Sequence, residues 1–287
     1  YKQNIDGTYP SVPSEEEVKY GTTKETTNAD PKTYKGFTTP AKQNKEILAD
    51  GTTIIEYKYV RDLSTLTINS NGGTYSKDLN IEQAYESTYV VDNANITPPK
   101  GYTVTYNANG GTTEVGSEVS TKTFEGWVLT GGGKFVGNTY TFGTKDEDGT
   151  LTANYKNNSI SLTTAKKVGY TFTGWYLDSN CTQALVLNAD GTYTPQKDIT
   201  IYAGWSANQV TYKVYRYLEN ANNENYTLYG DVIEGKAAAG STLTLLTEAN
   251  KNQIANTKYV GANLTGGTLG VGTSITTTTV APDGTTL

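Results

Sequence analysis

The sequence has few of the side chains on which enzyme and metal sites depend. Its 287 residues include no histidine and a single cysteine, Cys181. Without histidine, the usual general base, the usual metal ligand and every Ser-His or Cys-His pair are excluded. One cysteine also excludes a disulfide within the chain and a cysteine-type zinc site. The composition therefore predicts no catalytic residues, no metal site and no cofactor.

Arginine and long apolar runs are equally scarce. Arg61 and Arg216 are the only arginines, and the formal net charge is -6. Nucleic-acid binders depend on a basic face, so that class of partner is disfavoured. No apolar run approaches the ~18 residues of a membrane helix, and membrane insertion of this segment is not predicted. The sequence contains no signal peptide and no initiator methionine. We expect it to be a segment of a longer protein, so the absence of targeting signals carries little information.

Aliphatic core material is thin as well. Hydrophobic residues make up 35% of the chain, and that share includes 23 tyrosines. Several small cores built around tyrosine and tryptophan are therefore expected in place of one large core. The 30 glycines and abundant threonine favour strands and tight turns. Low cysteine with much lysine and tyrosine fits a Gram-positive surface protein, although a cytosolic protein tolerates the same composition.

Internal repeats define the predicted organisation. Residues 158–205 can be laid over residues 102–155, so that "TFTGW" (Thr171–Trp175) falls on "TFEGW" (Thr123–Trp127). Further along, "IYAGW" falls on "LTANY", and a "TYT" segment occurs in both copies in the same order. Ordered matches at nearly constant spacing indicate a duplication. In the second copy, four short strands are predicted: "SISLTT", "YTFTGWY", "GTYTP" and "ITIYAGW", the last with Ile199, Ile201, Ala203 and Trp205 on one face.

A third fragment belongs to the same set. "LTINSNGGT" (Leu66–Thr74) matches "VTYNANGGT" (Val104–Thr112), and each is a predicted strand that ends in an Asn-Gly-Gly turn. The alignment assigns the second of these strands to the first copy, which leaves the copy at 158–205 without one. Between the two fragments, "LNIEQAYESTYVVD" is predicted to form a short helix followed by a strand.

The two ends of the chain form a looser pair. "YKQNIDGTY", "YKGFTT" and "ADGTTI" resemble, in order, "YLENANNENY", "YVGANLT" and "PDGTTL". In the first module "TTIIEYKYV" follows as a predicted strand, and in the last module "VTYKVYRYLEN" supplies an opening strand. We therefore predict four modules with boundaries at 1–62, 63–157, 158–207 and 208–287. The first is expected to lack its opening strand and the last its closing strand.

Three segments carry a resemblance to a known family. "VTYNANGGT", "GYTFTGWYLDSNCTQ" and "ITIYAGW" together resemble the Listeria–Bacteroides repeat of bacterial cell-surface proteins, which is internalin B-repeat-like, over about residues 64 to 206. The flanking modules resemble mucin-binding-protein repeats more weakly. The resemblance implies a mainly β fold, with tandem small β-grasp-like modules in an elongated array and few short helices. It also implies a secreted or cell-wall-attached location and no catalysis.

The candidate binding residues have two interpretations each. Trp127, Trp175 and Trp205 suit a carbohydrate platform. The matching positions of two of them, and the face that Trp205 shares with Ile199 and Ile201, favour core packing. Cys181 has no histidine to activate it, so we expect a half-buried side chain beside Trp175.

The acidic and tyrosine-rich segments also leave alternatives open. Asp146, Glu147 and Asp148 offer calcium ligands, but the spacing of a calcium loop is missing, and a solvated hairpin tip is favoured. The segment "SEEEVK" (Ser14–Lys19) is predicted to be a solvated charge run. A glycosidase would need two carboxylates around one cleft, and no motif indicates such a pair. The remaining candidates are tyrosines that either bind glycan or protein or form cross-strand pairs: Tyr57, Tyr59, Tyr212, Tyr215 and Tyr217.

The function predicted from the sequence is a non-catalytic repeat region of a bacterial cell-surface protein, acting as a stalk or adhesive spacer. The alternative is a glycan- or mucin-binding adhesin module with an aromatic site. Expected partners are host or bacterial surface proteins or glycans. The sequence assigns no ligand-binding residues and no oligomeric state.

Overall fold

The computed structural model describes residues 1–244, 255–258 and 277–279. This part of the chain is mainly β, as predicted, and its only helix is a single 3₁₀ turn at Asn93–Asn95. In chain order the strands are β1 (Phe37–Thr38), β2 (Val60–Arg61), β3 (Leu63–Asn69), β4 (Thr74–Tyr75), β5 (Asn80–Ala84), β6 (Thr88–Val90), β7 (Ile96–Thr97), β8 (Thr103–Asn107), β9 (Thr112–Thr113), β10 (Ser117–Val119), β11 (Lys122–Gly131), β12 (Lys134–Val136), β13 (Thr139–Thr141), β14 (Gly149–Asn157), β15 (Ala165–Lys166), β16 (Tyr170–Tyr176), β17 (Ile199–Ala207), β18 (Gln209–Val214), β19 (Tyr217–Glu219), β20 (Tyr226–Leu228), β21 (Ile233–Ala238), β22 (Thr242–Thr244) and β23 (Thr277–Thr279).

The chain divides into two compact units, and each is built from two separate segments. The first unit contains Tyr1–Gly101 and Thr121–Asn158, and the second contains Tyr102–Ser120 and Ser159–Leu287. The chain therefore passes from one unit to the other three times. In each of the two main sheets, one strand pair joins the two segments of its unit, β3 with β14 in the first and β8 with β17 in the second.

The first unit is built on a four-stranded sheet with the order β11-β14-β3-β5. β14 runs parallel to β3, and the two outer pairs are antiparallel. Alternate residues of β3 and β14 point inward, so Leu66, Ile68 and Leu151 are buried. A smaller sheet, β12-β13-β6, supplies the buried Tyr140. The complete buried core of this unit is Leu66, Ile68, Tyr75, Val91, Tyr140, Phe142 and Leu151.

The second unit repeats this plan with the sheet order β10-β8-β17-β16. β17 runs parallel to β8, and β10 and β16 pair antiparallel at the two edges. Along β17 the expected face is confirmed, because Ile199, Ile201, Ala203 and Trp205 all belong to the core cluster. The buried core consists of Val104, Tyr106, Ala165, Trp175, Ile201 and Ala203.

Residues 1–62 contain little regular structure. The predicted strand "TTIIEYKYV" is wrong over most of its length, because only its last residues find backbone partners. Tyr59 forms a parallel bridge with Lys2, and only Val60 continues into β2. Ile54, inside the predicted strand, is 64% exposed, while Ile55 and Tyr57 are half-buried, so the alternation covers one face without forming a strand there.

Arg61 ties this N-terminal segment to the first repeat. Its Nε donates to the Gln3 carbonyl oxygen at 2.7 Å, and one terminal nitrogen donates to the Tyr85 carbonyl oxygen at 2.8 Å. The same nitrogen lies 2.9 Å from the Glu86 carboxylate. The Arg61 side chain is only 14% exposed, so this hydrogen-bonded cation has a structural role.

Two further predictions from the sequence are wrong in detail. The helix predicted in "LNIEQAYESTYVVD" is replaced by β5 and β6, because pairing with β3 and β13 places Ile81 and Tyr89 against the core. The predicted strands "SISLTT" and "GTYTP" reduce to one isolated bridge between Ile160 and Tyr193.

The described residues in the C-terminal part of the second unit form three strand pairs. β18 pairs with β21, β19 with β20, and β22 with β23, all antiparallel. The opening strand predicted there is split, since β18 ends at Val214 and β19 begins at Tyr217. The segments "YVGANLT" and "PDGTTL", and with them the predicted missing closing strand, lie outside the described residues.

Candidate functional site

The most regular feature of both units is the Asn-Gly-Gly turn that follows the first sheet strand. Asn71 and Asn109 both adopt positive φ, 47° and 48°, which asparagine tolerates better than most residues. In the first unit the side-chain amide of Asn71 donates to the Ala153 carbonyl oxygen at 3.0 Å. Asn109 donates to the Ala203 carbonyl oxygen at 3.2 Å. Each turn is thus hydrogen-bonded to an inner strand of its own sheet, β14 in the first unit and β17 in the second.

A carboxylate fixes the start of the same strand pair. Asp148, just before β14, accepts a hydrogen bond from the Thr65 amide at 2.7 Å. Asp198, just before β17, accepts one from the Thr103 amide at 2.7 Å. The equal geometry shows that both aspartates are part of the repeated framework.

The second glycine of each turn permits a close approach that a side chain would block. A Cβ atom on Gly111 would lie 2.5 Å from the Lys166 carbonyl oxygen and 2.6 Å from the Trp205 ring. On Gly73 it would collide with the Tyr155 hydroxyl and the Thr97 carbonyl oxygen. Tyr155 on β14 and Trp205 on β17 therefore pack directly against these turns. In the first unit the Tyr155 hydroxyl also donates to the Ser70 carbonyl oxygen at 2.8 Å.

Trp175 is the packing centre of the second unit. It is 6% exposed, and its indole nitrogen donates to the Thr163 carbonyl oxygen at 2.9 Å. Its ring lies 5.1 Å from the Tyr106 ring and 5.3 Å from the Phe172 ring, between centroids. The interpretation of Trp175 as a core residue is confirmed.

The other two tryptophans are half-buried and also hydrogen-bonded. Trp127 donates to the Asn93 side-chain oxygen at 2.8 Å and contacts Tyr75, with ring centroids 5.8 Å apart. Trp205 lies within hydrogen-bond distance of two turn carbonyls, those of Ala108 and Asn109, at 3.1 and 3.2 Å. Both rings pack against the core of their unit. This arrangement favours the packing interpretation over a carbohydrate platform.

Cys181 lies in a polar turn next to the second Asn-Gly-Gly turn. It is half-buried, as expected, and has positive φ, 55°. Its Sγ lies 3.5 Å from the Ala203 carbonyl oxygen and 3.6 Å from the Asn109 side-chain nitrogen. The thiol therefore fills space beside the Asn109 turn, and Trp175 is the strand partner of Ala203.

The acidic segment at 146–148 does not converge on one point. Glu147 accepts a hydrogen bond from the Thr144 amide at 2.9 Å, and this bond holds the pKa of its carboxyl below the usual value. Asp148 is bonded to the Thr65 amide, as described above. Within the described residues, no group of three or more histidine, cysteine or acidic side chains is placed to hold a metal ion.

The charge run at Glu15–Glu17 has defined partners. Glu15 accepts from the Tyr34 hydroxyl at 2.6 Å and also forms an ion pair with Lys32. The Lys32 hydrogen bond, followed by that of Tyr34, lowers the pKa of the Glu15 carboxyl. Exposed ion pairs of this kind contribute little to stability.

The candidate tyrosines separate into buried and exposed groups. Tyr59 is 5% exposed and packs edge-on against Tyr34, while the Tyr57 hydroxyl donates to the Ala29 carbonyl oxygen. The side chain of Tyr212 lies outside the described part. Tyr215 and Tyr217 are exposed and stacked, with ring centroids 6.5 Å apart and planes 22° apart.

Burial changes the acidity of two core tyrosines. Desolvation raises the pKa of Tyr75 to about 12 and that of Tyr106 to about 12. Both rings contact a tryptophan of their own unit. Each unit thus contains a buried phenol that stays neutral well above neutral pH.

The sequence pattern does not reveal the two aspartates that join the starts of β3 and β8 to β14 and β17. It predicts a solvated tip at Asp148 and indicates no role for Asp198. The sequence does contain a shared feature, because Asp198 directly precedes "ITIYAGW" and Asp148 lies shortly before "LTANY". Its meaning depends on which strands pair, and single-sequence patterns do not specify that.

The fold and these contacts define a mainly β repeat protein whose repeated residues are engaged in packing and turns. Residues 138–204 match the family model of the Listeria-Bacteroides repeat domain, which confirms the resemblance for that part of the chain. The match does not extend to the flanking modules. No curated protein and no solved structure matches the chain.

The match points to a repeat region of a surface protein, and repeat domains of this kind are typically non-catalytic. The matched interval takes β13 and β14 from the first unit and β15 to β17 from the second. Among the described residues, no helix has the length and apolar character needed to cross a bilayer.

Proposed function

We propose that this chain is a non-catalytic spacer region of an extracellular or cell-wall-attached bacterial surface protein. The observation that carries the proposal is the use of the repeated polar residues. Asn71, Asn109, Asp148 and Asp198 are all hydrogen-bonded to backbone within their own unit. Polar side chains that bond to backbone at matching positions of both copies stabilise the fold. A catalytic site would instead need polar side chains that face a bound substrate.

The family match supports the same proposal from a different direction. The match to a repeat domain at residues 138–204 fits a protein in which folded units are strung along the chain. The sequence composition adds to this, because a chain without histidine has few options for acid–base chemistry.

Surface display tests the spacer role. The chain, carrying a peptide epitope at its outer end, would be fused to a cell-wall anchor and compared with a variant that lacks residues 63–207. We expect a large antibody against the epitope to bind fewer cells when these residues are deleted, at equal surface expression. Equal antibody binding by both proteins would contradict a spacer function.

A second function is favoured by one surface feature. Tyr215 and Tyr217 are 39% and 51% exposed and stack on each other. Exposed aromatic faces are suited to sugar rings, since each tyrosine presents an apolar face with a polar hydroxyl. We propose this pair as the binding residues if the chain is a glycan- or mucin-binding adhesin.

A glycan array separates the two functions. The adhesin proposal expects binding of the full chain to mucin-type glycans, and loss of that binding in Tyr215→Ala/Tyr217→Ala. Tyr20→Ala is the control, because Tyr20 is 98% exposed and makes no ring contact with another tyrosine in the described residues. Absence of binding by the parent chain would reject the adhesin proposal and leave the spacer proposal intact.

A further inference from the structure

The segments of the two repeats alternate along the chain, so that each Asn-Gly-Gly strand is separated from its parallel partner by part of the other unit. β8 reaches its partner β17 only after the intervening residues 121–158, which belong to the other unit. β3 in turn pairs with β14, beyond residues 102–120 of the second unit. The two registers are equivalent, with Leu66 opposite Gly149 and Val104 opposite Ile199. The second repeat therefore has the turn that the sequence alignment assigned to the first.

A continuous copy of either repeat does not contain all the residues of the core that the structure shows. Val104 and Tyr106 are buried at 0% and 6% exposure, and both lie outside residues 158–207. β8 lies between β10 and β17, so its loss leaves the backbone groups of β17 on that side unpaired. In the same way, residues 102–157 lack Leu66 and Ile68, which are buried in the first core.

We propose that this interleaved arrangement holds the chain together after a cut. The two parallel strand pairs responsible, β3 with β14 and β8 with β17, are called the clasp. A single cut of the chain where it passes from one unit to the other would not release a repeat. After a cut between Asn158 and Ser159, the N-terminal piece carries β8 and β10 and the C-terminal piece carries β16 and β17. These strands hold the two pieces together within the second unit. A surface protein exposed to proteases would thereby keep its continuity after one cut.

The link at 158–159 is suited to a direct test. Asn158 is bonded through its side chain to the Thr121 and Thr123 hydroxyls, so the first unit ends there in a defined structure. Ser159 is exposed. A protease recognition segment flanked by glycine and serine can be inserted between these two residues of the full chain.

The experiment cleaves this chain to completion and compares two separations. We expect two bands on a denaturing gel and one co-eluting species in native size-exclusion chromatography. Two separated peaks under native conditions would overturn the clasp, because continuous repeats would share no strand across the cut.

A pair of variants shows whether the association depends on β8. Val104→Ala removes buried side-chain volume and should weaken the association of the cut pieces at least about tenfold. Thr105→Ala is the matched control, because Thr105 is the exposed neighbour on the same strand. Equal dissociation constants for the two variants would show that the pieces associate by another route, and would reject the clasp.

Disulfide crosslinking tests the pairing without any cut, in a Cys181→Ser background. Thr105 and Thr200 are register partners, and neighbouring strands lie within the range that a disulfide spans. Thr105→Cys/Thr200→Cys should therefore oxidise to an intramolecular disulfide. Thr150 occupies the corresponding position of β14, so Thr105→Cys/Thr150→Cys would crosslink only if β8 paired within the first copy. Crosslinking of Thr105→Cys/Thr150→Cys, without crosslinking of Thr105→Cys/Thr200→Cys, would contradict the pairing of β8 with β17.

Discussion

At the scale of single residues, the tryptophans and tyrosines supply most of what the scarce aliphatic residues do not. Trp175 contacts Tyr106 and Phe172, and Trp127 contacts Tyr75 and Phe124. Aromatic pairs with offset or edge-on geometry add stabilisation beyond their buried area. Both cores are therefore built around an aromatic cluster of the same type.

Trp175→Ala should destabilise the second unit by about 3–5 kcal/mol, because it empties a large buried volume and leaves the Thr163 carbonyl without its donor. Urea denaturation followed by circular dichroism measures the loss. Val168→Ala serves as the control, since Val168 is 69% exposed and should change stability little. Equal midpoints for Trp175→Ala and the parent would disprove the core assignment.

The raised pKa of Tyr106 predicts a loss of stability at high pH. Unfolded tyrosine titrates near pH 10, whereas burial raises the pKa of Tyr106 to about 12. Between these values the unfolded chain has lost a proton that the folded chain retains. The stabilising contribution is thus complete below about pH 10 and is lost as the pH rises through about 12.

Tyr106→Phe removes this titration, so the variant should lose less stability than the parent between about pH 9 and about pH 11. Tyr20→Phe is the control, because Tyr20 is 98% exposed and should leave the pH dependence unchanged. Urea denaturation at both pH values measures the difference. Parallel pH dependence of parent and Tyr106→Phe would show that Tyr106 titrates normally.

At the scale of elements, the Asn-Gly-Gly turn leaves no room for a side chain at its second glycine. Gly111→Ala should destabilise the second unit by about 1–3 kcal/mol, because the added Cβ meets the Lys166 carbonyl and the Trp205 ring. Gly116, a few residues along the same segment, has open space around it. Gly116→Ala should therefore be nearly neutral, and thermal denaturation of both variants measures the contrast. A similar cost at both positions would contradict the close approach at Gly111.

Strands with long apolar alternation were predictable from the sequence. β16 and β17 are found where "YTFTGWY" and "ITIYAGW" placed them, because Ile201, Ala203 and Trp175 fix which face is buried. Short segments were not predictable. "TTIIEYKYV" alternates well, but only Tyr59 finds a buried position, and local pattern carries no information about whether a partner strand exists.

The partner of each Asn-Gly-Gly strand could not be predicted either. "LTINSNGGT" and "VTYNANGGT" have the same pattern and the same turn, so either one satisfies the local requirements of either repeat. The choice between them depends on contacts between residues far apart in sequence, such as Thr103 with Asp198 and Asn109 with Ala203. For the candidate site, the repeated position of Trp175 correctly favoured packing, whereas the sequence left both binding and pairing open for Tyr215 and Tyr217.

At the scale of the whole molecule, the described chain contains two cores that share one plan. The buried residues of each core come from both of its segments, with Leu66 and Leu151 in the first unit and Val104 and Ile201 in the second. Each core is therefore assembled from segments that are separated by part of the other repeat.

Native-state hydrogen exchange of the full chain, measured by mass spectrometry, tests whether each core is assembled from two separated segments. The amides of Thr103–Asn107 are hydrogen-bonded in the interior of the second sheet, and they should exchange as slowly as those of Ile199–Ala207. In Trp175→Ala, protection of both segments should fall together, while Leu63–Asn69 in the first unit is affected less. If Thr103–Asn107 instead follows Gly149–Asn157 and is insensitive to Trp175→Ala, the assembly of the two cores described above is contradicted.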